Sequence, residues 1–438
     1  MTKHRRRITR AGSLTILSAL TAVALVLAGC GTDSNSNGSS GGSSSIQIWE
    51  GWTGAEAKAW THLVAEYEKQ HPGQKVSSLY VNNDNTLQKV LTAVRGGSPP
   101  DIAYLYGSWA PNVAQIPQVV TLNKAVQQPG VNWNDFWVGE RKVATVNGRV
   151  IGVPALVDNL AVVYNKTLFA KAGLPLPSPN WTWSQFTAGA KKLTNPASKQ
   201  FGTAYVTPGS EDTVWHWQAL LWEAGGQLLT SDNKKAAFNS AAGLMSLNTL
   251  RTMAVSDKSM YLDPTDQAYA NLFNSGRIGM LVTGPWDLSQ FTSVHYGVQV
   301  MPAYPGTSGG HQTISGPDNW VIFNNDASRV SAAEKFLFWL TAPAQVKYWS
   351  LHTGDLPTRA SVGNAGGFSQ QMNTALPGVS AFVANLANVK QVRPQIPQYP
   401  KISQILGNMI VSVLLGKSQP QAALNSAAQQ VNQVLATG

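Results

Sequence analysis

Acidic and aromatic residues recur together along this chain, mostly where the surrounding pattern reads as a loop or the end of an element. Glu50 and Trp52 flank Gly51, Ser108 precedes Trp109, and Asp158 precedes Asn159. Glu211, Asp212 and Trp215 crowd into one short stretch, and Trp286 follows Gly284-Pro285. Asp318 and Asn319 follow Gly316-Pro317, and Arg393 and Tyr399 bracket a Pro-rich stretch that ends at Pro400. A sugar presents flat C–H faces and a ring of hydroxyls. Aromatic planes pack the faces, and carboxylates, amides and guanidinium groups hydrogen-bond the hydroxyls, so one cleft holding both chemistries suits a carbohydrate. Paired carboxylates beside aromatics would also suit glycoside hydrolysis or a lyase. Here, though, the acids come from scattered loops. No Ser-His-Asp signature, no His-rich metal spacing and no Gly-Lys-Ser/Thr phosphate loop is present. No enzymatic activity, cofactor or metal is therefore expected.

Several of these residues also fit plainer roles. Trp49 ends a strand and suits a core. Trp215, Leu221 and Trp222 fit the buried face of one helix with Trp217 facing elsewhere, and Trp222 reads as core. His216 reads as a satisfied histidine, Asp101 as part of a structural turn, and Asp287 as a cap on a following helix.

Strands alternating with helices must position these residues. Ile46-Gln47-Ile48-Trp49 alternates like a strand, and Trp60, Leu63, Val64 and Tyr67 then recur on one helical face. Asp101 to Leu105, Val150 to Val153 and Leu160 to Tyr164 read as further strands. Thr182 with Gln185, and Ser331 with Glu334, read as capping boxes, the second opening a helix whose stripe is Ala333, Phe336, Leu337 and Leu340. This alternation argues an α/β architecture with mainly parallel sheets. About 390 residues follow Ser45, too many for one core, so two domains are expected.

The N-terminal segment has its own signature. Lys3, Arg5, Arg6, Arg7 and Arg10 precede a 14-residue apolar stretch, Leu14 to Leu27, and then Leu27-Ala28-Gly29-Cys30, which holds the chain's one cysteine. The stretch is short of the roughly 20 residues of a spanning helix. It resembles a bacterial lipoprotein signal, in which the chain is cut before the cysteine and the cysteine is acylated. Residues 1–29 would then be signal peptide, and residues 30–45 an acylated cysteine and a Gly/Ser tether. Removing the signal lowers the net charge from +10 to +5 and leaves no basic cluster, so no nucleic-acid partner is expected. A lone cysteine excludes internal disulfides.

Four passages resemble the family 1 extracellular solute-binding proteins, the maltose-binding-protein-like group that feeds ABC importers. They are Gly97-Ser98-Pro99-Pro100-Asp101-Ile102, then Gly148 to Pro154 with Ala161 to Lys166, then Phe273 to Met280 running into Gly284-Pro285-Trp286, and Ala332 to Leu340 with Tyr348-Trp349 and Gly354 to Arg359. Ile151 departs from the pattern, standing where many members carry a tyrosine near the hinge. The resemblance implies a two-lobed periplasmic-binding-protein-like fold of type II, each lobe a mainly parallel sheet flanked by helices, joined by a multi-segment hinge. The first lobe would hold residues 46–156 plus 302–346, and the second 159–298 plus 349–438, with crossings near 155–160, 298–302 and 345–350. It further implies a monomer that captures a di- or oligosaccharide between its lobes and delivers it to ABC permease subunits, outside the cytoplasm and anchored to the cell membrane through Cys30. On that pattern Trp286 faces the sugar and Asp158 bonds it. The same fold could instead take glycerol-phosphate compounds, with Arg393 as the anion partner and Arg359 structural.

Overall fold

The computed structural model describes residues 45–265 and 267–437. The lipidation site expected at Cys30, and the signal ahead of it, lie outside them. The strands that frame the site are β1 (Ser45–Glu50), β2 (Lys75–Tyr80), β3 (Ile102–Tyr106), β4 (Val153–Leu156), β5 (Ala161–Asn165), β6 (Thr203–Val206), β7 (Met260–Asp263), β8 (Met280–Thr283), β9 (Tyr296–Gln299) and β10 (Asp318–Ile322). The helices packed on them include α1 (Gly54–Gln70), α2 (Asn83–Arg95), α3 (Trp183–Leu193), α4 (Glu211–Glu223), α5 (Ala327–Leu340), α6 (Pro343–Thr353) and α7 (Tyr399–Leu414).

One half of the molecule is a five-stranded sheet in the order β2-β1-β3-β10-β4. β2, β1 and β3 run parallel, but β10 is antiparallel to both β3 and β4. The other half holds an antiparallel sheet, β8-β5-β9, and a parallel pair, β6-β7. The fold is α/β as expected, with mixed rather than mainly parallel sheets. The reason is the route of the chain. β10 enters the first sheet from the other half, so its first residue, Asp318, pairs with the last of β3, Tyr106, and it must run the opposite way.

The chain passes from the first sheet to the second between Leu156 and Ala161, with Asn159 bridging Ser315. The return comes later than the expected 298–302. Ala303 accepts a hydrogen bond from Trp183, Gln312 donates to the Trp222 carbonyl, and Thr313 bonds Leu160, so residues 303–313 stay with the second half. Only at Gly316–Asp318 does the chain rejoin the first.

Helix signals held where a side chain could close the cap. Thr182 Oγ1 accepts from Gln185 N at 3.3 Å, and Gln185 Oε1 accepts from Thr182 N at 2.8 Å. The expected start at Ser331 is displaced. α5 begins one turn earlier because Asp326 accepts from Arg329 N at 2.9 Å, which leaves Ser331 inside the helix. Its stripe of Ala333, Phe336, Leu337 and Leu340 is buried as the periodicity predicts. Trp60, Leu63 and Tyr67 bury the matching face of α1, with Trp60 stacked on Trp320 of β10.

Three apolar clusters hold the fold. One lies under the first sheet around Ile48, Trp60 and Phe336, and one in the second half around Val163, Phe273 and Phe382. The third runs between the halves, from Leu105 and Trp109 to Trp217, Trp222 and Ile410. Trp217 is fully buried, so α4 is covered on every side rather than on one face. Asp101 and Arg359 are structural. The carboxylate of Asp101 holds Arg329 at 2.6 and 2.7 Å, and Arg359 is buried over the ring of Phe136 at 4.0 Å.

Candidate functional site

A cleft of about 1170 Å³, including its open mouth, lies between the two halves. The first sheet offers it the C-terminal ends of β1, β2 and β3, where open α/β sheets present loops to ligands. From this side come Trp52 and Glu56 after β1, Tyr80 and Asn82 to Asp84 after β2, Tyr104 and Tyr106 of β3, and Asp158, Gly316 and Asp318 at the crossings. From the other side come Glu211, Asp212 and Trp215 in the opening turns of α4, then Gln267, Tyr269, Trp286, Asp287, Gln290 and Arg393.

The deepest part is an ionic knot. Arg393, buried in the cleft, meets Glu211 at 2.9 Å and Asp318 at 3.8 Å. Glu211 also accepts from Tyr399 Oη at 3.0 Å, from Ser403 Oγ, and from Ser108 Oγ at 3.4 Å. Asp318 accepts from Tyr104 Oη at 2.5 Å and from Gly107 N at 2.8 Å. A buried charge is tolerated only when paired and hydrogen-bonded, and this set meets that demand across both halves. Burial pushes Asp318 up to about 6, with Arg393 pulling the other way. Asp158 is raised well above the ordinary range by burial and then by Asp318. Its Oδ1 accepts from Gly316 N at 2.9 Å, and a β-carbon on Gly316 would press into that carboxylate, which is why glycine stands there.

The aromatic walls are built just as locally. Trp52 packs against Tyr104, Trp320 and Trp349, with ring centroids at 4.6, 5.8 and 5.0 Å. Trp215 and Trp286 face each other with centroids 5.9 Å apart at an interplanar angle of 39°. The Trp286 ring folds back over Gly284, where a β-carbon would overlap it. Among the described residues the indole nitrogens of Trp52 and Trp215 have no hydrogen-bond partner, although both side chains are buried. Each is a donor on a residue that lines the cleft.

Of the residues singled out from sequence, Trp52, Asp158, Glu211, Asp212, Trp215, Trp286, Asp318 and Arg393 line this cleft. The others do not. Glu50 turns back to accept from Trp52 N at 2.8 Å and shapes the turn. Ser108 and Tyr399 reach the site only through Glu211. The tight helical turn Gly107–Trp109 rotates Trp109 onto Tyr106, at 4.6 Å, and into the core. Asn159 points away from the cleft, donating to the Phe382 carbonyl and accepting from Asn385, both at 2.9 Å. Asn319 lies within β10 against Gly152. Adjacent residues of an extended segment face opposite sides, so Asp158 and Asp318 reach the cleft and the asparagine beside each cannot.

Glu56, Tyr80, Asn82 to Asp84, Tyr104, Tyr106, Gln267, Tyr269, Asp287 and Gln290 line the cleft without having been picked out. Asp287 does not cap a helix. It accepts from Thr283 at 2.6 Å and Gln290 at 2.8 Å, and burial raises it to about 6. Asp84 is raised to about 7 by burial and by Asp212. Burial, Asp355, Asp287 and Asp158 all raise Glu56 well above its ordinary value. His216 packs on Asp212 at 3.3 Å; burial lowers its pKa, but the carboxylate outweighs it and leaves the ring raised. Among the described residues no group of three or more His, Cys, Asp or Glu is placed to hold a metal ion. Nor is any helix among them long and apolar enough to cross a membrane.

This architecture defines a protein that encloses a solute between two α/β lobes. The chain belongs to the bacterial extracellular solute-binding protein family, which residues 51–347 match. It is similar to the cyclic alpha-maltosyl-1,6-maltose binding protein from Arthrobacter globiformis, with 28% identity, a TM-score of 0.70, and coverage of 90% of this chain and 99% of that one. An ABC transporter solute binding protein from Thermotoga lettingae, solved with alpha-D-tagatose, is 26% identical with a TM-score of 0.77, covering 89% of this chain and 99% of that one. In sequence, the sn-glycerol-3-phosphate-binding periplasmic protein of Pectobacterium atrosepticum is 23% identical over 89% of this chain and 91% of its own length. All three are binding proteins rather than enzymes, the Thermotoga one of an ABC transporter, and the hydrolase alternative is set aside.

Proposed function

We propose that this protein is the extracytoplasmic receptor of an ABC importer for a carbohydrate, a di- or oligosaccharide, captured between its lobes and handed to permease subunits in the membrane. The observation that carries this is the gathering of indoles, carboxylates and amides around one cleft: Trp52 with Asp84 and Asp158 on one side, Trp215 and Trp286 with Asp212 and Gln290 on the other. No bond is broken. Aromatic contact on one lobe and hydrogen bonds from the other favour the closed form by their differential contact with it. The receptor acts as a monomer, and acylated Cys30 with the Gly/Ser tether after it holds the folded part at the membrane. The first lobe comprises residues 46–156 and the β10-α5 segment, and the second the intervening part and the C-terminal helices.

A second reading, a glycerol-phosphate ligand, is favoured by the likeness to the Pectobacterium protein and by Arg393 in the cleft. That guanidinium is already engaged by Glu211 and Asp318. A thermal-shift screen of the protein against mono-, di- and oligosaccharides, with glycerophosphodiesters alongside, separates the two. A ligand at 100 times its Kd adds roughly 2.7 kcal/mol. A shift with unphosphorylated sugars supports the first reading, and a shift confined to phosphorylated compounds replaces it with the second.

A further inference from the structure

Two short side chains join the halves across the cleft where neither serves its own helix. α2 follows β2 of the first sheet, and α4 follows β6 of the second half. α2 is capped by Asn82, whose side chain accepts from Asp84 N at 3.1 Å. The Asp84 carboxyl is free of that duty and reaches over to α4, where its Oδ2 receives the Ser210 hydroxyl and, at 3.4 Å, the Asp212 amide. Ser210 is the N-cap of α4 and has the extended backbone of one, yet its side chain makes no bond to the helix's own amides. An N-cap side chain ordinarily accepts from the second or third amide of its helix. At α4 that acceptor comes from the other lobe, 128 residues away in sequence.

The loop that carries Ser210 is fixed in place. Gly209, at φ +81°, donates its amide to Thr213 Oγ1 at 3.1 Å, and its carbonyl accepts from Gln404 at 3.0 Å. The same carbonyl lies against Gly407 of α7, where a β-carbon would collide with it. The second lobe thus presents the first turn of α4 as a rigid unit, and the bond to Asp84 exists only while the lobes are together. The acids nearby leave this contact favourable. Arg393 meets Glu211 at 2.9 Å, His216 stands 3.3 Å from Asp212, and burial with Asp212 holds Asp84 up to about 7. A protonated carboxyl keeps an acceptor oxygen, and an ionised one is favoured at a helix N-terminus.

We propose that Asp84 and Ser210 form a latch: the first lobe caps α4 of the second across the cleft and biases the empty receptor toward its closed form. The latch acts on closure rather than on any one ligand, so it shifts the apparent affinity for every ligand by the same factor. This rests on the two-lobed receptor reading above and not on which solute is bound.

The test is small-angle X-ray scattering of the ligand-free full protein, fitted as a mixture of closed and opened lobes, with melting curves to check folding. The wild-type protein is expected to be mainly closed. Asp84→Ala should lower the closed-to-open ratio about fivefold, and so should Ser210→Ala, at a residue that is not among those lining the cleft. Asp84→Asn keeps an acceptor and should scatter like the wild type. A wild-type protein that scatters as the opened form overturns the latch, as do alanine variants no more open than the wild type. An Asp84→Asn protein as open as Asp84→Ala overturns it too. No ligand is present, so each of these outcomes leaves the carbohydrate reading to the thermal-shift screen.

Discussion

Replacing Arg393 with methionine tests the ionic knot most severely. Methionine keeps much of the apolar stem and removes the charge, so the variant isolates the guanidinium. In the wild-type protein that group sits 2.9 Å from Glu211 and 3.8 Å from Asp318, all three side chains being almost fully buried. Removing one partner of a buried, hydrogen-bonded ion set leaves the remaining charges uncompensated, which costs about 3–5 kcal/mol. Tyr399, Ser403, Tyr104 and Gly107 N still solvate the two carboxylates, so the lower end of that range is expected. The loss depends on pH with a defined sign. Asp318 already lies at about 6 by burial with Arg393 opposing the rise, and without Arg393 it moves further up. A carboxyl raised in the folded state is protonated there before it is in the unfolded chain, so its penalty grows as pH rises from about 4 through the folded value. Urea denaturation of both proteins at pH 8 and pH 5 should show a deficit of about 3 kcal/mol or more at pH 8 and a smaller one at pH 5. A deficit under about 1 kcal/mol at pH 8, or one that grows on acidification, would refute the reasoning.

The same sign governs the unliganded wild-type protein. Asp84 at about 7, and Asp287, Asp318 and Asp355 at about 6, all stand above their ordinary range. Its melting temperature should therefore rise between pH 8 and pH 5.5, and a fall over that interval counts against the buried acid cluster. Trp286→Ala and Asp158→Ala should each weaken ligand binding by about tenfold or more while the protein stays folded, as read by titration and circular dichroism. Unchanged affinity in both would displace the site. Thr182→Ala, which removes the hydroxyl half of the capping box and leaves the backbone N–H of residue 182 on Gln185, should cost about 1 kcal/mol without altering ligand affinity. Cys30→Ser should move the protein from the membrane fraction to the soluble one, and retention on membranes would sink the anchor.

What was legible in the sequence followed the strength of the local signal. Periodicity marked α1 and the stripe of α5, and a closed pair of side chains marked the Thr182 cap. The motif Gly284-Pro285-Trp286 marked an indole that the missing β-carbon of Gly284 lets fold back. The failures share a physical cause, which is that orientation within a short segment depends on partners far away in the chain. Asp158-Asn159 and Asp318-Asn319 each read as a polar pair, yet strand alternation sends one member to the cleft and the other into structure. Trp109 read as a loop tryptophan until a helical turn rotated it onto Tyr106. Asn82 to Asp84 went unnoticed because β2, Lys75-Val76-Ser77-Ser78-Leu79-Tyr80, is an edge strand too polar to announce itself. Tyr104 looked like an ordinary residue of a buried strand, and Tyr106 lay just past that strand's expected end at Leu105. The antiparallel course of β10 had no local signal, being set by where the chain re-enters the first sheet.

The receptor account is tested most directly by a crystal structure of the protein with the sugar that gives the largest thermal shift. The account predicts one ligand between the halves, its ring face against Trp215 or Trp286 and its polar groups hydrogen-bonded to Asp84, Asp158 or Asp212. A sugar bound elsewhere, or a cleft occupied only by a phosphorylated compound held through Arg393, would contradict it.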